Sequence, residues 1–260
     1  MRTQDNGPVK SAARALDLLD EIAARGPGTQ LQLANRLAVP KSSMHALLRT
    51  MIARGWIETD PTGTVYRLGI HSLIVSSAFL EADRVLASAQ SYIDELASVT
   101  AETVHLGRLV DGEIVYIAKR ESVHPLRLFS AVGRRLPACS TALGRAVLSQ
   151  QPVELRDRHV PDPIVAMTPR TTTDRAVVLE ILQKAAVDGY AVESEESTLG
   201  VRCFAVEVPF SADHCDSLGL AVPISRLDAD REARMVETLL SIRARVTEAR
   251  RHLSVANARE

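Results

Sequence analysis

The sequence has 260 residues and a formal net charge of −1, with 46% hydrophobic and 24% charged residues. This composition excludes an intrinsically disordered chain and describes a folded protein with room for one large domain or two ordinary ones. No apolar run approaches the roughly 20 residues of a membrane-spanning helix, and the first ten residues lack the apolar core of a secretory signal. We therefore expect a cytoplasmic protein without a membrane partner.

Three cysteines, Cys139, Cys203 and Cys215, occur without a C-x-x-C pair. Their odd number and their spacing argue against a disulfide framework and against a structural zinc site. We expect reduced thiols, no bound metal and no cofactor.

The charges are divided unequally along the chain. Residues 1–70 hold nine Lys or Arg and six Asp or Glu, whereas residues 71–260 hold 22 and 26. An excess of this size does not identify a DNA-binding part, because DNA affinity depends on how cations are arranged on one face.

The first seventy residues predict three helices. Ser11 stands where an N-cap would precede a first helix, which ends at the Arg25-Gly26-Pro27-Gly28 stretch. Thr29 and Gln32 form a capping-box pattern for a short second helix that ends near residues 38–40. The third helix follows after only a few residues, so the second and third helices form a helix-turn-helix unit.

The third helix is amphipathic and is followed by a hairpin. Its apolar residues fall at helical spacing and predict a stripe that packs on the other two helices; they are Met44, Leu47, Leu48, Met51 and Ile52. Residues 56–59 and 64–68 alternate with period two around the turn Asp60-Pro61-Thr62-Gly63. Three helices and a hairpin in this order predict a winged helix, whose third helix enters the major groove.

The polar face of the third helix carries cations and short side chains but no acid. Arg49 can contact guanine edges, whereas residues at the helix N-terminus suit phosphates, and Arg67 on the wing can add a phosphate contact. The predicted DNA-binding residues are Lys41, Ser42, Ser43, His45, Arg49, Thr50 and Arg67. The alternative is an ordinary solvated helix face.

The rest of the chain begins with an apolar stretch, residues 71–80, which packs either against a partner subunit or against its own domain. Strand-like stretches at 103–110, 113–118, 126–129, 190–192, 202–208 and 218–224 then alternate with helical patterns near 140–150, 174–187 and 228–256. This mixture predicts an α+β fold with helices packed outside a sheet.

Two stretches in this part suggest a ligand site. The stretch RRLPACSTALGRA (134–146) leads from a strand into a helix that starts with small polar residues, and GYAVESEESTLGVRC (189–203) is an acidic loop between strands. From the residues alone, a capped helix and a solvated acidic loop remain the alternatives to a binding site.

Nearly the whole chain resembles the isocitrate lyase regulator (IclR) family of bacterial transcription factors. The motifs that carry the resemblance are SAARALDLL, LANRLAVPKSSMHALLRTMIARGWIE, YRLG, ETVHLGRLVDGEIVYIAKRES, GRRLPACSTALGRAVLS, GYAVESEESTLGVRCFAVEV and PISRL. The resemblance implies a winged helix-turn-helix at 1–70, a linker helix at 71–84 and a GAF-like effector-binding domain at 85–260. It also implies homodimers or dimers of dimers that bind a pseudo-palindromic DNA operator, under the control of a small metabolite. We expect a repressor of a catabolic or metabolic operon.

The family's effector pocket can be carried over position by position. The residues that the resemblance implies are Leu128, Leu136, Ala142, Leu143, Glu193, Val201, Cys203, Gly219 and Ala221. Gly219 and Ala221 replace serines that some keto-acid-binding relatives have, so an aromatic or longer acid is as plausible as a two- or three-carbon acid. Ala46 replaces an arginine that many relatives have, so the operator sequence does not carry over. We expect Glu193 to accept hydrogen bonds from a ligand hydroxyl or amine, or to be protonated opposite an acid.

Two other functions are alternatives to a DNA-binding regulator. An enzyme would use Cys203 or Cys139 as nucleophile with His105 as base, but no nucleophile motif accompanies them. A metal sensor would use His105, Glu193 and Cys203, whose spacing in the sequence is uninformative. We predict that the protein is not an enzyme.

Overall fold

The computed structural model describes residues 9–125 and 130–257. The chain divides into two compact units, Met1–Asp83 and Arg84–Glu260. The predicted strand at 126–129, with the predicted effector residue Leu128, lies outside the described residues. Within the described ranges, no helix has both the length and the apolarity that a membrane span requires.

The first unit contains three helices, a small sheet and a fourth helix. Its elements are α1 (Lys10–Arg25), β1 (Gly28–Thr29), α2 (Gln30–Arg36), α3 (Lys41–Ala53), β2 (Ile57–Thr59), β3 (Val65–Leu68) and α4 (Ile70–Ala82). The sheet is antiparallel in the order β1-β3-β2. The predicted helices and hairpin are confirmed, and β1, which pairs with the wing strand β3, is an addition to them.

Two details of the predicted helix starts have different outcomes. The capping box of α2 is confirmed, since Gln32 N donates to Thr29 Oγ1 and Thr29 N donates to Gln32 Oε1. The expectation that Ser11 caps α1 was wrong: the helix begins at Lys10, with Val9 at the N-cap position and no side-chain cap. Ser11 is therefore an exposed residue of the first turn.

The core of the first unit lies between the helices and the wing. Its fully buried members include Leu18, Leu33, Met44, Leu48 and Ile57. The predicted stripe of α3 is confirmed for its centre but not for Ile52, which is 39% exposed. At 100° per residue, position 52 is rotated about 80° from position 44, which takes it off the buried side of the helix.

The second unit is a six-stranded antiparallel sheet with helices on both faces. Its elements are α5 (Arg84–Thr100), β4 (Thr103–Val110), β5 (Glu113–Arg120), β6 (Arg135–Pro137), α6 (Ala142–Ser149), α7 (Val153–Arg158), α8 (Arg175–Asp188), β7 (Ala191–Ser194), β8 (Val201–Glu207), β9 (Asp216–Pro223) and α9 (Ala229–Asn257). The strand order is β6-β5-β4-β9-β8-β7. The fold is α+β, as predicted.

Two hydrophobic clusters hold this unit together. One packs α5 and α9 against the sheet, and includes Leu96, Phe204 and Leu239. The other packs α6 and α8 against the strands and includes Ile114, Leu143 and Leu182. Because alternate residues of a strand face opposite sides, the sheet supplies side chains to both clusters.

Candidate functional site

The third helix of the first unit presents its polar residues to solvent. Lys41, Ser42, His45, Arg49 and Thr50 are exposed, and Ser43 is half-buried. These six residues are called the reading face below. The opposite side of α3 is buried through Met44, Leu48 and Met51. Packing therefore fixes which side of the helix is free for a partner.

The N-terminus of α3 can accept an anion. Pro40 occupies the N-cap position, and no side chain of the described residues caps the helix. Gln30 Nε2 donates to the Lys41 carbonyl oxygen at 3.1 Å, which ties α2 to the start of α3. Uncapped N–H groups and the helix dipole favour a phosphate group at this point.

Arg67, the predicted wing contact, is held in an ion pair. Its Nε donates to Glu58 Oε1 at 2.8 Å, and the two side chains are 54% and 49% exposed. The pair crosses from β3 to β2, where Arg67 and Glu58 are directly opposite. Contact with a phosphate thus requires Arg67 to share its guanidinium with Glu58 or to leave it.

The second unit contains a small cavity of about 20 Å³ that is partly open to solvent. Strands β5, β4, β9, β8 and β7 and the start of α6 contribute to its wall. The lining residues are His105, Tyr116, Arg134, Leu136, Thr141, Ala142, Leu143, Glu193, Ser197, Thr198, Cys203, Phe204, Gly219, Leu220 and Ala221. A mixed apolar wall with a few polar groups is typical of a small-molecule site.

Gly219 is required by the close approach of neighbouring strands. A Cβ atom at this position would lie 2.6 Å from the Phe204 carbonyl oxygen, 2.9 Å from Ala205 Cβ and 3.1 Å from Leu143 Cδ2. The obstructing oxygen belongs to backbone, so it cannot move aside as a flexible side chain would. A serine in place of Gly219 does not fit without displacement of β8.

Glu193 is buried at the other edge of the cavity, on β7, and its carboxylate organises the following loop. Oε2 accepts from the backbone N–H groups of Glu196 at 2.9 Å and Ser197 at 3.4 Å, and Oε1 accepts from Ser197 Oγ at 2.5 Å. The residue is only 2% exposed. These donors stabilise a buried carboxylate that would otherwise be costly.

A buried ion pair fixes the same loop to α6. Arg145 donates from its two terminal nitrogens to the two carboxylate oxygens of Glu196 at 2.6 and 2.8 Å, and from Nε to the Cys139 carbonyl oxygen at 2.8 Å. The side chains are 1% and 9% exposed. Glu196 also accepts from the N–H of Thr172. The loop that supplies Ser197 and Thr198 to the cavity is therefore anchored on both sides.

His105 and Tyr116 stack at the opposite side of the cavity. Their ring centroids are 4.4 Å apart with 28° between the ring planes. Nε2 of His105 shares a 2.7 Å hydrogen bond with Ser130 Oγ, and Lys119 Nζ donates to the Ser130 carbonyl oxygen. Burial, with the nearby Lys119 and Arg134 charges, lowers the pKa of His105 to about 3, so its ring is neutral at physiological pH.

Comparison with known proteins identifies the two units. Residues 11–61 match the model of the IclR helix-turn-helix domain, and residues 77–247 match the model of the bacterial transcriptional regulator IclR C-terminal domain. The second match alone spans more than half of the chain. The chain belongs to the IclR family of transcriptional regulators.

Individual relatives agree with this assignment. The transcriptional repressor IclR of Escherichia coli strain K12 is 30% identical over 238 residues, which cover 86% of this chain and 84% of that protein. An IclR regulator from Alicyclobacillus acidocaldarius has a TM-score of 0.82 at 25% identity, covering 93% of this chain and 98% of the other. An IclR homolog from Microbacterium hydrocarbonoxydans, solved in complex with 4-hydroxybenzoate, has a TM-score of 0.76 at 20% identity, covering 91% and 97%.

Membership in the IclR family decides against the enzyme hypothesis, because the family and these relatives are DNA-binding regulators. The chemistry of Cys203 agrees, since burial and the neighbouring Glu193 carboxylate raise the pKa of its thiol well above the ordinary value. A thiol held protonated is a poor nucleophile. The metal-sensor hypothesis also finds no support: in the part of the chain that the structure describes, no three His, Cys, Asp or Glu residues are grouped to hold a metal.

The cavity brings together most of the positions that the IclR resemblance implied. Seven of them line it: Leu136, Ala142, Leu143, Glu193, Cys203, Gly219 and Ala221. Val201 is buried at the start of β8 but is not a lining residue. Their position in the cavity wall does not show that they contact an effector, and this contact stays a prediction.

Sequence reasoning missed one side of the cavity. Tyr116 was not predicted there, and the hypotheses that named His105 gave it the role of a base or a metal ligand; Arg134 belongs to the stretch 134–146 that was predicted as a candidate site. A usable signal lay in the strand pattern: His105 and Tyr116 interrupt apolar runs in β4 and β5, where a polar group needs a partner. Phe204 and Leu220 were also missed, whereas Thr141, Ser197 and Thr198 fall within the predicted stretches 134–146 and 189–203.

Proposed function

We propose that this IclR-family regulator is a repressor of a catabolic or metabolic operon, released from or retained on its operator by a small organic-acid or aromatic metabolite. The observation that carries the proposal is the pairing, in one chain, of an exposed cationic reading face with a buried, polar-lined cavity. The name of the Escherichia coli relative supports repression, and the 4-hydroxybenzoate complex of the Microbacterium homolog supports an acid as effector. Because its target is the bacterial chromosome, the regulator acts in the cytoplasm.

In this proposal, the first unit reads DNA through α3 and the wing. Arg49 contacts a base edge, whereas Lys41, Ser42 and Ser43 contact phosphates at the helix N-terminus. His45 and Thr50 lie on the same exposed side of α3. Arg67 contributes from the wing when its ion pair with Glu58 opens. The boundaries 1–70, 71–84 and 85–260 are the proposed DNA-binding domain, linker and effector domain.

The regulator binds its operator as a homodimer or a dimer of dimers. Helix α4 has no buried residue, although it is strongly apolar. The exposed apolar residues are Ile70, Leu73, Ile74, Val75, Phe79 and Leu80, with exposed fractions between 38% and 65%. A patch of this kind supports self-association, and two-fold symmetry of the protein matches a pseudo-palindromic operator.

The decisive test is a gel-shift titration of the protein on DNA upstream of its own and adjacent genes. We expect Arg49→Ala to weaken operator binding and to relax the preference at one base position by about 1–3 kcal/mol. Arg25→Ala is the matched control, since it removes the same charge from the exposed end of α1, outside the reading face. If the two variants lose operator affinity equally, Arg49 does not read a base.

The same titration, repeated with a panel of metabolite acids, tests control by an effector. We expect at least one acid to change the operator affinity of the wild type while leaving the affinity for unrelated DNA unchanged. In the proposed site, Leu136, Ala142, Leu143, Val201 and Cys203 surround the ligand with Gly219 and Ala221, and Glu193 accepts a hydrogen bond from its hydroxyl or amine. Leu128 belongs to this proposed set but lies outside the described residues.

A further inference from the structure

The end of α3 and the start of α4 lie side by side, because the chain leaves α3 for the wing and returns from the wing into α4. Gly55 and Trp56 follow α3, and Gly69 immediately precedes α4. The N–H of Gly69 donates to the Trp56 carbonyl oxygen at 2.8 Å, one step beyond the pairing of β2 with β3. The sequence motifs GWIE and YRLG therefore meet at one place in the first unit.

Backbone and side-chain hydrogen bonds join the two helices at this place. The first N–H groups of a helix have no acceptor within the helix itself. The N–H of His71, in the first turn of α4, donates to the Gly55 carbonyl oxygen at 3.1 Å, and Ser72 Oγ donates to the Trp56 carbonyl oxygen at 3.4 Å. The turn that ends α3 thus supplies an acceptor to the start of α4.

Close packing accompanies these hydrogen bonds. The rings of Trp56 and His71 meet edge to face, with centroids 4.6 Å apart and 77° between the ring planes. A Cβ atom on the buried Gly69 would overlap the Gly55 carbonyl oxygen and lie 3.1 Å from the Ile57 nitrogen. Because Gly69 has φ −91°, which any residue can adopt, the close approach and not the backbone conformation requires glycine here.

We infer that these contacts make α3 and α4 one rigid body, in which Gly69 and His71 are positioning residues for the reading face. Helix α4 carries the exposed apolar patch that is proposed for self-association. A fixed angle between α3 and α4 then sets the distance between the two reading faces of a dimer, and with it the spacing of the operator half-sites. This consequence rests on the proposed function, whereas the rigidity is a property of the first unit alone.

Hydrogen exchange at single amides of the full-length protein tests the rigidity without DNA. The N–H of His71 is the probe, because its acceptor on Gly55 belongs to the end of α3. We expect it to exchange within about tenfold of the rate of the Leu48 N–H, at the buried centre of α3, since both then require the unit to open as a whole. Exchange faster than this would mean that α4 moves independently of α3, which would overturn the inference.

Selection of bound sequences from a pool of random DNA tests the consequence for recognition. We expect the wild type to select two half-sites at one spacing. Gly69→Ala separates the two helices but leaves the side chains of the reading face unchanged, so it should select the same half-site without a fixed spacing. Its affinity for the sequence that the wild type selects should fall about tenfold or more, as for a mismatched base pair. Its affinity for unrelated DNA should be unchanged, because that affinity depends on charge.

Gly26→Ala is the matched control for this selection. Gly26 has φ +78°, so alanine strains the first unit there, but no described atom lies within 4 Å of the added Cβ. We expect this variant to select the wild-type spacing. If Gly69→Ala also selects that spacing, the joint between α3 and α4 does not position the reading face.

A second pair of variants covers the case in which Gly69→Ala does not fold. His71→Phe keeps a ring against Trp56, whereas His71→Ala removes it. Trp56 is the single tryptophan, and its emission should move to longer wavelength in His71→Ala but not in His71→Phe. We expect only His71→Ala to lose the fixed spacing, and the wild-type spacing in both variants would overturn the inference. If the wild type selects no sequence, the proposed function fails, while the exchange measurement still decides the rigidity.

Discussion

The buried Arg145–Glu196 pair offers a sharp test of what holds the cavity loop. Glu196→Gln keeps the shape of the side chain but removes its charge, which leaves the guanidinium of Arg145 without an anion in a site where it is 1% exposed. Removal of one partner of a buried pair costs about 3–5 kcal/mol. Since glutamine retains one acceptor oxygen, we expect the lower end of this range, about 3 kcal/mol.

Urea unfolding followed by far-UV circular dichroism measures this change. With a slope of about 2 kcal/mol per molar urea, the transition should move down by roughly 1.5 M. Trp56 is the single tryptophan of the sequence and lies in the first unit, so its fluorescence reports that unit separately. The matched control is Glu113→Gln, whose partner Arg135 is at 2.7 Å but where both side chains are 39–50% exposed. We expect the control to cost about 0–1 kcal/mol.

The pH dependence gives a second readout of the same pair. Burial alone would raise the pKa of Glu196, but the hydrogen bonds and charge of Arg145, with the Thr172 N–H, outweigh it and lower the pKa below the ordinary 4.5. A lowered pKa means that the folded state binds fewer protons than the unfolded state. The stabilisation is therefore complete above pH 4.5 and is lost as the pH falls through the folded-state pKa. If Glu196→Gln costs no more than Glu113→Gln at neutral pH, the loop is held by other contacts.

Two further predictions concern positions outside this pair. Gly219→Ser should lower the free energy of unfolding by about 1–3 kcal/mol, because its Cβ would lie 2.6 Å from the Phe204 carbonyl oxygen. If the variant unfolds at the same temperature as the wild type, β8 can move aside at no cost in stability. Glu58→Gln should strengthen binding to non-specific DNA and steepen its salt dependence by up to about one unit, since it releases Arg67 for a phosphate. Polarisation titrations at several salt concentrations measure this slope, and an unchanged slope would mean that Arg67 does not reach DNA.

The sequence predicted those features that depend on local periodicity. The helix patterns near 140–150, 174–187 and 228–256 correspond to α6, α8 and α9, because each presents apolar residues at helical spacing or carries clear caps. Asp111 and Gly112 lie between the predicted strands 103–110 and 113–118, and both have positive φ, as a two-residue hairpin turn requires. Strand β1 was not predicted, because a strand of two residues is too short to show a periodic pattern and is defined only by its pairing with β3.

The cavity depended on pairing that local patterns do not encode. Strand β4 pairs with β9, more than one hundred residues later, and this pairing places His105 opposite Gly219. The family resemblance supplied the β7, β8 and β9 side of the wall, whereas the β4 and β5 side came only from the structure. Polar residues within apolar strands are visible in the sequence, but the contacts that they make, such as that of His105 with Ser130, are not.

Gly219 connects these two sides of the site. A serine hydroxyl on β9 would be the simplest anchor for an acid, yet the approach of β8 leaves no space for even a Cβ atom at this position. The residue directly opposite Gly219 on β4 is His105, which stacks on Tyr116. Close packing of β8 on β9 thus excludes a polar side chain at position 219, and on this side of the wall the polar side chains come from β4 and β5.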